Sequence, residues 1–196
     1  MRSKVWLIPL FSMVLHVNSV MAQQKPQDTK LVDADKLQQE AEELLKSRQF
    51  KEAETQLRRS ITLKEGVLGT EAVELVEPLN LLAQAIASQG DYTEARKVYE
   101  RVRQIKTDHY GANDLETARS TFNLGLMLTY EGNYVASKRL IEEALPIFES
   151  KAPASHELGM VLSGLAEPLY YLNEYAEGRK ALDRAQEILQ RVSTTP

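Results

Sequence analysis

The sequence predicts an all-α protein, an α-solenoid of about four helix-turn-helix repeats. Three observations lead to this prediction. Matching residue types return every 41 or 42 residues along the chain, and within each unit the apolar residues are spaced as on one face of a helix. The chain has only 9 glycines and 7 prolines among 196 residues, which argues against a turn-rich β fold.

Columns of matching residues define the repeat. An aromatic residue marks the turn inside each unit, where we expect it to fill the turn, and a small residue follows three positions later. The aromatic column is Phe50, Tyr92, Tyr134 and Tyr175; the small columns are Ala53, Ala95, Ser137 and Gly178, and, upstream of the turn, Ala41, Ala83, Gly125 and Ala166. Small residues on both helices of a unit predict close crossing. Because one helical pair cannot bury its apolar face alone, neighbouring units must stack.

Each unit contributes a first helix, A, and a second helix, B. The apolar spacing predicts eight helices, at residues 33–47, 50–66, 72–89, 92–108, 114–131, 134–149, 156–172 and 175–192. Gly90 and Gly132 suit the left-handed residue that ends a helix, and the Asp91 and Asn133 that follow can cap the next one. In the last helix the apolar residues, Leu182 among them, form one inward stripe, which predicts a polar terminal cap.

Three prolines, Pro78, Pro146 and Pro168, fall inside predicted helices and predict kinks there. For Pro78 an alternative is open: it marks the restart of its helix after a loose first turn.

The N-terminal segment is organised like a secretory signal peptide. Arg2 and Lys4 precede an apolar run at 5–15, and Ala22 precedes a polar stretch. We therefore expect a signal peptide at 1–22, with an uncleaved anchor or a mis-assigned start as the alternative. The predicted division continues with a polar linker at 23–32, a repeat domain at 33–192 and a tail at 193–196, the repeats being about 33–70, 71–112, 113–154 and 155–192.

Composition excludes several classes of function. The net charge is −4 without like-charge runs, which gives no electrostatic footprint for nucleic acid. The chain has no cysteine, and the two histidines beyond the signal, His109 and His156, lie in loops without ligand spacing. Because no phosphate-binding loop or nucleophile elbow is present either, we expect no enzyme, no cofactor and no metal site. The predicted location is the bacterial periplasm, or alternatively the medium.

The columns resemble the tetratricopeptide repeat family over about residues 33–192. The unit is longer than the family's usual 34 or so residues, and residues 121–125, TFNLG, are similar to a signature of the 42-residue class found in kinesin light chains. The resemblance implies a right-handed superhelix whose A helices line the concave side, and a protein- or peptide-binding function. Asn80 and Asn123 match positions where that class carries paired asparagines, but Leu81 and Phe122 replace the second member of each pair, so that ligand mode does not transfer directly.

We expect a partner to bind on the second face of the A helices, where tyrosines and an arginine offer anchors of the kind found in binding surfaces. The predicted partner-binding residues are Asn80, Gln84, Arg119, Phe122, Asn123, Leu126, Tyr130, Glu167, Tyr170 and Tyr171. Among them Arg119, Asn123 and Tyr130 are predicted to face solvent. As an alternative, the apolar members Phe122, Leu126 and Tyr171 pack between adjacent A helices.

The predicted protein is a monomer or weak dimer, with a protein or peptide partner and no membrane span once the signal is removed. A second functional hypothesis is a structural subunit of an envelope or secretion assembly, held through the convex face or the ends of the solenoid.

Overall fold

The computed structural model describes the backbone of residues 10–194 and the side chains of residues 28–193. Within that part the chain forms eight α-helices and one 3-10 turn. The helices are α1 (Leu10–Lys46), α2 (Phe50–Leu68), α3 (Val76–Ser88), α4 (Tyr92–Tyr110), α5 (Leu115–Tyr130), α6 (Tyr134–Lys151), α7 (His156–Tyr171) and α8 (Tyr175–Thr194), and the 3-10 turn is Val73–Leu75. The prediction of an all-α solenoid of four helical pairs is confirmed.

Each helix packs against the next along the chain, as a solenoid requires. In addition α1 contacts α3, and α5 contacts α7, whereas the even-numbered helices in the described part of the chain make no comparable contacts with one another. The odd-numbered A helices therefore lie on the tighter side of the stack. We call the side lined by α1, α3, α5 and α7 the inner face.

All four turns between an A helix and its B helix have the same backbone geometry. The second residue after the A helix has a positive φ in every case: 61° at Arg48, 88° at Gly90, 79° at Gly132 and 64° at Asn173. The next backbone N–H then bonds back to the carbonyl five residues earlier, as Asn133 does to Leu128 at 2.8 Å. The repeat thus imposes a left-handed residue even where the sequence offers no glycine.

The small-residue columns are the points of closest approach between paired helices. Ala41, Ala83, Ala53 and Ala95 are fully buried. At Gly125 an added Cβ would come within 2.7 Å of the Ile141 side chain of α6. Only a residue without a side chain fits that crossing as it stands, which explains the glycine on α5.

Two predicted features differ from the structure. The helix predicted to start at 33 begins at Leu10, so residues 23–32, predicted as a linker, are helical. The 72–89 helix is a 3-10 turn followed by α3, and Pro78 lies in the first turn of α3. The kink predicted there is therefore wrong and the restart correct, because a proline in the first turn gives up a donor that has no intrahelical partner.

Part of the predicted signal peptide, residues 1–9, lies outside the described residues, as does the end of the tail at 195–196. Cleavage after Ala22 stays a prediction. Along the stretch that the structure does describe, no helix combines the length and apolar character needed to cross a membrane.

Candidate partner-binding surfaces

A small pocket opens on the inner face between α5 and α7. Its volume is about 180 Å³, and its lining comprises Arg119, Phe122, Asn123, Phe148, Glu157, Met160 and Val161. Asn123 is half-buried, and Met160 keeps 46% of its surface exposed. The pocket therefore has an apolar floor with a polar amide and a flexible thioether at its rim, a combination that can contact both the backbone and the side chains of a peptide.

Arg119 connects the two helices beside this pocket. Its Nε donates to Glu157 Oε1 at 2.8 Å and its Nη2 to Glu157 Oε2 at 2.7 Å, which is a two-point ion pair between α5 and α7. Arg119 also pairs with Glu116 on its own helix. The sequence predicted a solvent-facing cation at this position, but the structure places it half-buried between two carboxylates. Its role in the fold is to fix α5 relative to α7.

The charges continue from Glu116 to the preceding repeat. Lys106 of α4 is 7% exposed and its ammonium donates to Glu116 Oε2 at 2.8 Å. This hydrogen bond, together with the positive charges of Lys106 and Arg119, holds the pKa of Glu116 below its usual value despite partial burial. Lys106, Glu116, Arg119 and Glu157 thus form an alternating chain of charge across three helices, and it stiffens one wall of the pocket.

Phe122 and Leu126 pack between adjacent A helices. Phe122 is only 7% exposed. A Cβ placed on Gly164 of α7 would lie 2.8 Å from Phe122 Cε2 and 3.2 Å from Leu126 Cδ2, so both side chains rest on the α7 backbone at that glycine. The interhelical alternative describes these two residues correctly. Phe122 offers a partner only the edge that forms the pocket floor.

Asn80 and Gln84 occupy the corresponding positions one repeat earlier, 42 residues before Phe122 and Leu126. Phe122 and Leu126 face the next A helix along the stack. By the repeat register, Asn80 and Gln84 take the same positions on α3 and so belong to the inner face. Asn80 is half-buried and Gln84 is exposed. The inner face is therefore polar at α3 and more apolar at α5.

The tyrosines predicted for the same surface lie elsewhere, along the edge that carries the A–B turns. Tyr130, at the end of α5, contacts Tyr92 at the start of α4, with ring centroids 5.2 Å apart. Tyr171, at the end of α7, stacks on Tyr134 at the start of α6, with centroids 4.2 Å apart and ring planes 7° apart. Each pair joins an A helix to the B helix of the preceding repeat. We call this side of the solenoid the turn edge.

Two further rings extend the second pair into a tyrosine cluster, defined as Tyr134, Tyr170, Tyr171 and Tyr175. Tyr170 meets Tyr171 edge-on at 5.5 Å and Tyr175 at 5.4 Å. Tyr134 and Tyr175 were predicted only to fill turns. The signal that could have revealed the cluster is the repeat itself, since the aromatic column and the tyrosines ending the A helices recur in register.

Charged side chains lie close to Tyr134 of this cluster. Desolvation raises the pKa of Tyr134, and the adjacent Tyr171 hydroxyl and the Glu167 carboxylate raise it further. Lys138, one turn along α6 from Tyr134, is paired with Glu174 and lies 3.9 Å from Glu142. The predicted residue Glu167 is exposed and does not line the inner-face pocket, and its carboxylate lies close enough to act on Tyr134.

Comparison with protein families agrees with this geometry. The tetratricopeptide repeat family profile matches residues 74–150. Over these residues the chain is similar to tetratricopeptide repeats. The match covers the second and third helical pairs, including α5 and its half of the pocket. Tetratricopeptide repeats are in general non-catalytic scaffolds for protein interaction, and in the described residues no group of three or more His, Asp or Glu side chains is placed to hold a metal ion.

Solved structures with similar repeats show the same fold at low sequence identity. BtubC (BKLC) from P. vanneervenii has a TM-score of 0.75 at 14% identity; the match covers 83% of this chain and 65% of BtubC, less than two thirds of that protein. A putative kinesin light chain from Podosopora anserina, with nearly identical TPR-like repeats, has a TM-score of 0.57 at 15% identity, covering 82% of this chain and 97% of that one. MamA has a TM-score of 0.63 at 14% identity and covers 90% of each chain. Comparison with curated protein sequences finds no match.

Proposed function

We propose that this chain is an exported, non-enzymatic module that binds a protein or peptide segment along its inner face. The observation that carries the proposal is the pocket between α5 and α7, where Asn123 and the exposed Met160 stand beside a buried aromatic floor. Isolated exposed apolar residues are ordinary on a protein surface. Here, however, the exposed methionine borders a concave, mixed polar and apolar site in a repeat class that generally binds proteins.

The geometry supports recognition of an extended or helical segment lying across successive A helices. The Asn123 amide can both donate to and accept from a peptide backbone. Met160 can adapt its flexible chain to an apolar side chain of the partner. Gln84 of α3, exposed on the preceding A helix, would continue the polar contacts toward the N-terminal repeats. The ion pairs of Arg119 keep the two pocket walls in place, so little conformational entropy is lost on binding.

Capture experiments with matched variants test this proposal. The purified protein is immobilised and exposed to extract from its native envelope, beside an inner-face variant carrying Gln84→Ala, Asn123→Ala and Met160→Ala. The control variant carries Thr62→Ala, Gln104→Ala and Arg139→Ala, three exposed positions on the B helices α2, α4 and α6. We expect a partner that the control retains and the inner-face variant loses. A partner retained equally by all three proteins would contradict the inner-face site.

Export is the second part of the proposal and rests on the N-terminal sequence, with its cations, apolar run and Ala22. Fractionation of the native host, followed by mass measurement of the recovered chain, tests it. We expect the protein outside the cytoplasm with Gln23 as its first residue. Recovery of the uncut chain from the cytoplasm would contradict export.

One observation favours the alternative, a structural subunit held through the end of the solenoid. A cleft of about 640 Å³ lies at the last repeat, with Leu182, Ala185 and Leu189 among its lining residues. Leu182 is 46% exposed, which corrects the prediction that it belongs to an inward stripe. If the end mediates assembly, Leu182→Gln abolishes association while the inner-face variant associates normally. The proposed function predicts the reverse.

A further inference from the structure

We propose that the tyrosine cluster on the turn edge is a second binding surface, one that receives an arginine- or lysine-bearing segment of a partner protein. This inference goes beyond the inner-face site and does not depend on it. Its starting point is exposure: Tyr170, Tyr171 and Tyr175 each keep more than half of their surface in water, at 62%, 53% and 56%. Three exposed tyrosines from the end of one helix and the start of the next form a contiguous aromatic patch.

The rings of the cluster fix one another in place. Tyr171 lies flat on Tyr134, and Tyr170 bridges Tyr171 and Tyr175 through two edge-on contacts. The Tyr175 hydroxyl also donates to Asn173 Oδ1 at 2.7 Å, in the turn with the left-handed residue. A partner therefore meets aromatic surfaces that are already ordered, and the entropy lost on binding is small.

The charge around the rings selects the partner. Between Glu167 and Glu177 the chain carries three carboxylates, the third being Glu174, and no lysine or arginine. Lys138, which faces this segment from α6, is already paired with Glu174. Beyond the segment on α8, Arg179 pairs with Asp183, and Lys180 is exposed.

Both components of the surface attract positive charge. Aromatic faces carry negative potential that binds guanidinium and ammonium groups. The carboxylates of Glu167, which acts on Tyr134, and of Glu177, which acts on Lys138, add to it. The same carboxylates would repel an acidic segment. The complementary occupant is a basic stretch of polypeptide, with its cations over the rings and its flanks near the glutamates.

Peptide titrations test this proposal. They use the protein purified from its host, in the form that is present in the cell after any N-terminal processing. The probes are two fluorescein-labelled dodecapeptides, one repeating Arg-Gly-Ser and one repeating Glu-Gly-Ser, followed by fluorescence polarisation. The decisive pair of variants is Tyr170→Phe, which keeps the aromatic face, and Tyr170→Leu, which keeps an apolar side chain without it. Glu167→Gln with Glu177→Gln removes the two outer carboxylates. Circular dichroism confirms that each variant is folded.

We expect the basic peptide to bind and the acidic peptide not to bind. Tyr170→Phe should keep the affinity within about twofold, whereas Tyr170→Leu should weaken it about fivefold. The variant with both Glu167→Gln and Glu177→Gln should bind the basic peptide about threefold more weakly than the unmodified protein does. Its affinity should also depend less on salt between about 50 and 300 mM. Asn123→Ala, in the inner-face pocket, should leave this affinity unchanged.

Three results would overturn the proposal. Equal binding of the two peptides would show that the surface has no preference for positive charge. Equal affinity of Tyr170→Phe and Tyr170→Leu would show that the aromatic ring contributes nothing. A loss of basic-peptide binding in Asn123→Ala, with the tyrosine variants unaffected, would assign the peptide to the inner face instead. That last outcome would leave the proposed function standing, so the two hypotheses fail separately.

Discussion

Tyr134 and Tyr171 stack almost parallel across two successive repeats, although 37 residues separate them in the sequence. Because Tyr134 begins a B helix and Tyr171 ends the next A helix, their contact joins the third repeat to the fourth. Both lie on the edge of the solenoid that carries the turns.

This stack should contribute measurable coupling energy. Tyr134→Ala and Tyr171→Ala, made singly and together, should show a coupling of about 0.5–1.5 kcal/mol in the free energy of unfolding. Denaturant titration supplies the four values of the cycle. Tyr110→Ala combined with Tyr171→Ala is the control and should be additive. Additivity in the Tyr134–Tyr171 cycle would mean that the stack adds nothing beyond the burial of each ring.

The turn at Arg48 should be improved by glycine. A side chain at φ 61° is strained, whereas the equivalent Gly90 adopts φ 88° without cost. Arg48→Gly should therefore raise the free energy of unfolding by about 0.5–1 kcal/mol, and Gly90→Ala should lower it by about 1 kcal/mol. Asn173→Gly should change it less than Arg48→Gly, because asparagine tolerates this conformation. A destabilised Arg48→Gly protein would show that the arginine side chain has a stabilising role at the turn.

The glycines inside helices should respond to alanine in opposite directions. At Gly125 the new methyl would meet Ile141 Cγ1 at 2.7 Å, close to the branch point of a stiff side chain, and we expect a loss of about 1–3 kcal/mol. At Gly178 the nearest atom is Leu169 Cβ at 3.4 Å, an ordinary contact, and we expect a gain of about 0.5–1 kcal/mol from helix propensity. Thermal unfolding of the two variants measures both. Equal and favourable shifts would mean that α5 and α6 have room to separate.

Acid should weaken the structure partly through Glu116. Its pKa is lowered from the ordinary 4.5, chiefly by the hydrogen bond from Lys106, so the folded state holds the ionised form more strongly than the unfolded state does. The stability that this carboxylate contributes is present above its ordinary pKa. It is lost as pH falls through the lower, folded value.

Unfolding free energies measured from about pH 7 down to about pH 3 should therefore fall less steeply for Glu116→Gln than for the unmodified protein. At neutral pH the variant should be less stable by about 1–3 kcal/mol, since Lys106 loses its carboxylate in a buried position. Glu40→Gln, at an exposed position on α1, is the control. If the free energy of unfolding falls with the same slope at low pH in the unmodified protein, Glu116→Gln and Glu40→Gln, the role given to Glu116 is contradicted.

The fold was predictable because its signals are local and repeated four times. The glycines of the two middle repeats predict where the A helices end. Because Arg48 and Asn173 occupy the same position in the first and last repeats, the same turn geometry is expected there. The start of α1 was not predictable in this way. The change of composition after Ala22 suggests a processing boundary, but nothing there stops a helix as a glycine turn would.

The candidate site was less predictable, because its residues depend on the relative rotation of neighbouring helices. Arg119 has Glu157 as its partner 38 residues away, and only the packing of α5 on α7 reveals that pair. Helical spacing alone placed Tyr130 and Tyr171 on the inner face. They lie in the last turns of their helices, however, where the chain reverses, and there the side chains reach the preceding B helix instead.

Site-specific photo-crosslinking in living cells tests the central proposal, binding on the inner face, most directly. A photoreactive benzoylphenylalanine replaces Asn123 in one protein and Gln104, on the outer helix α4, in another. The account predicts a discrete protein adduct from position 123 after illumination and none from position 104. Adducts formed from position 104 alone would contradict it and would place the partner on the outer side of the solenoid.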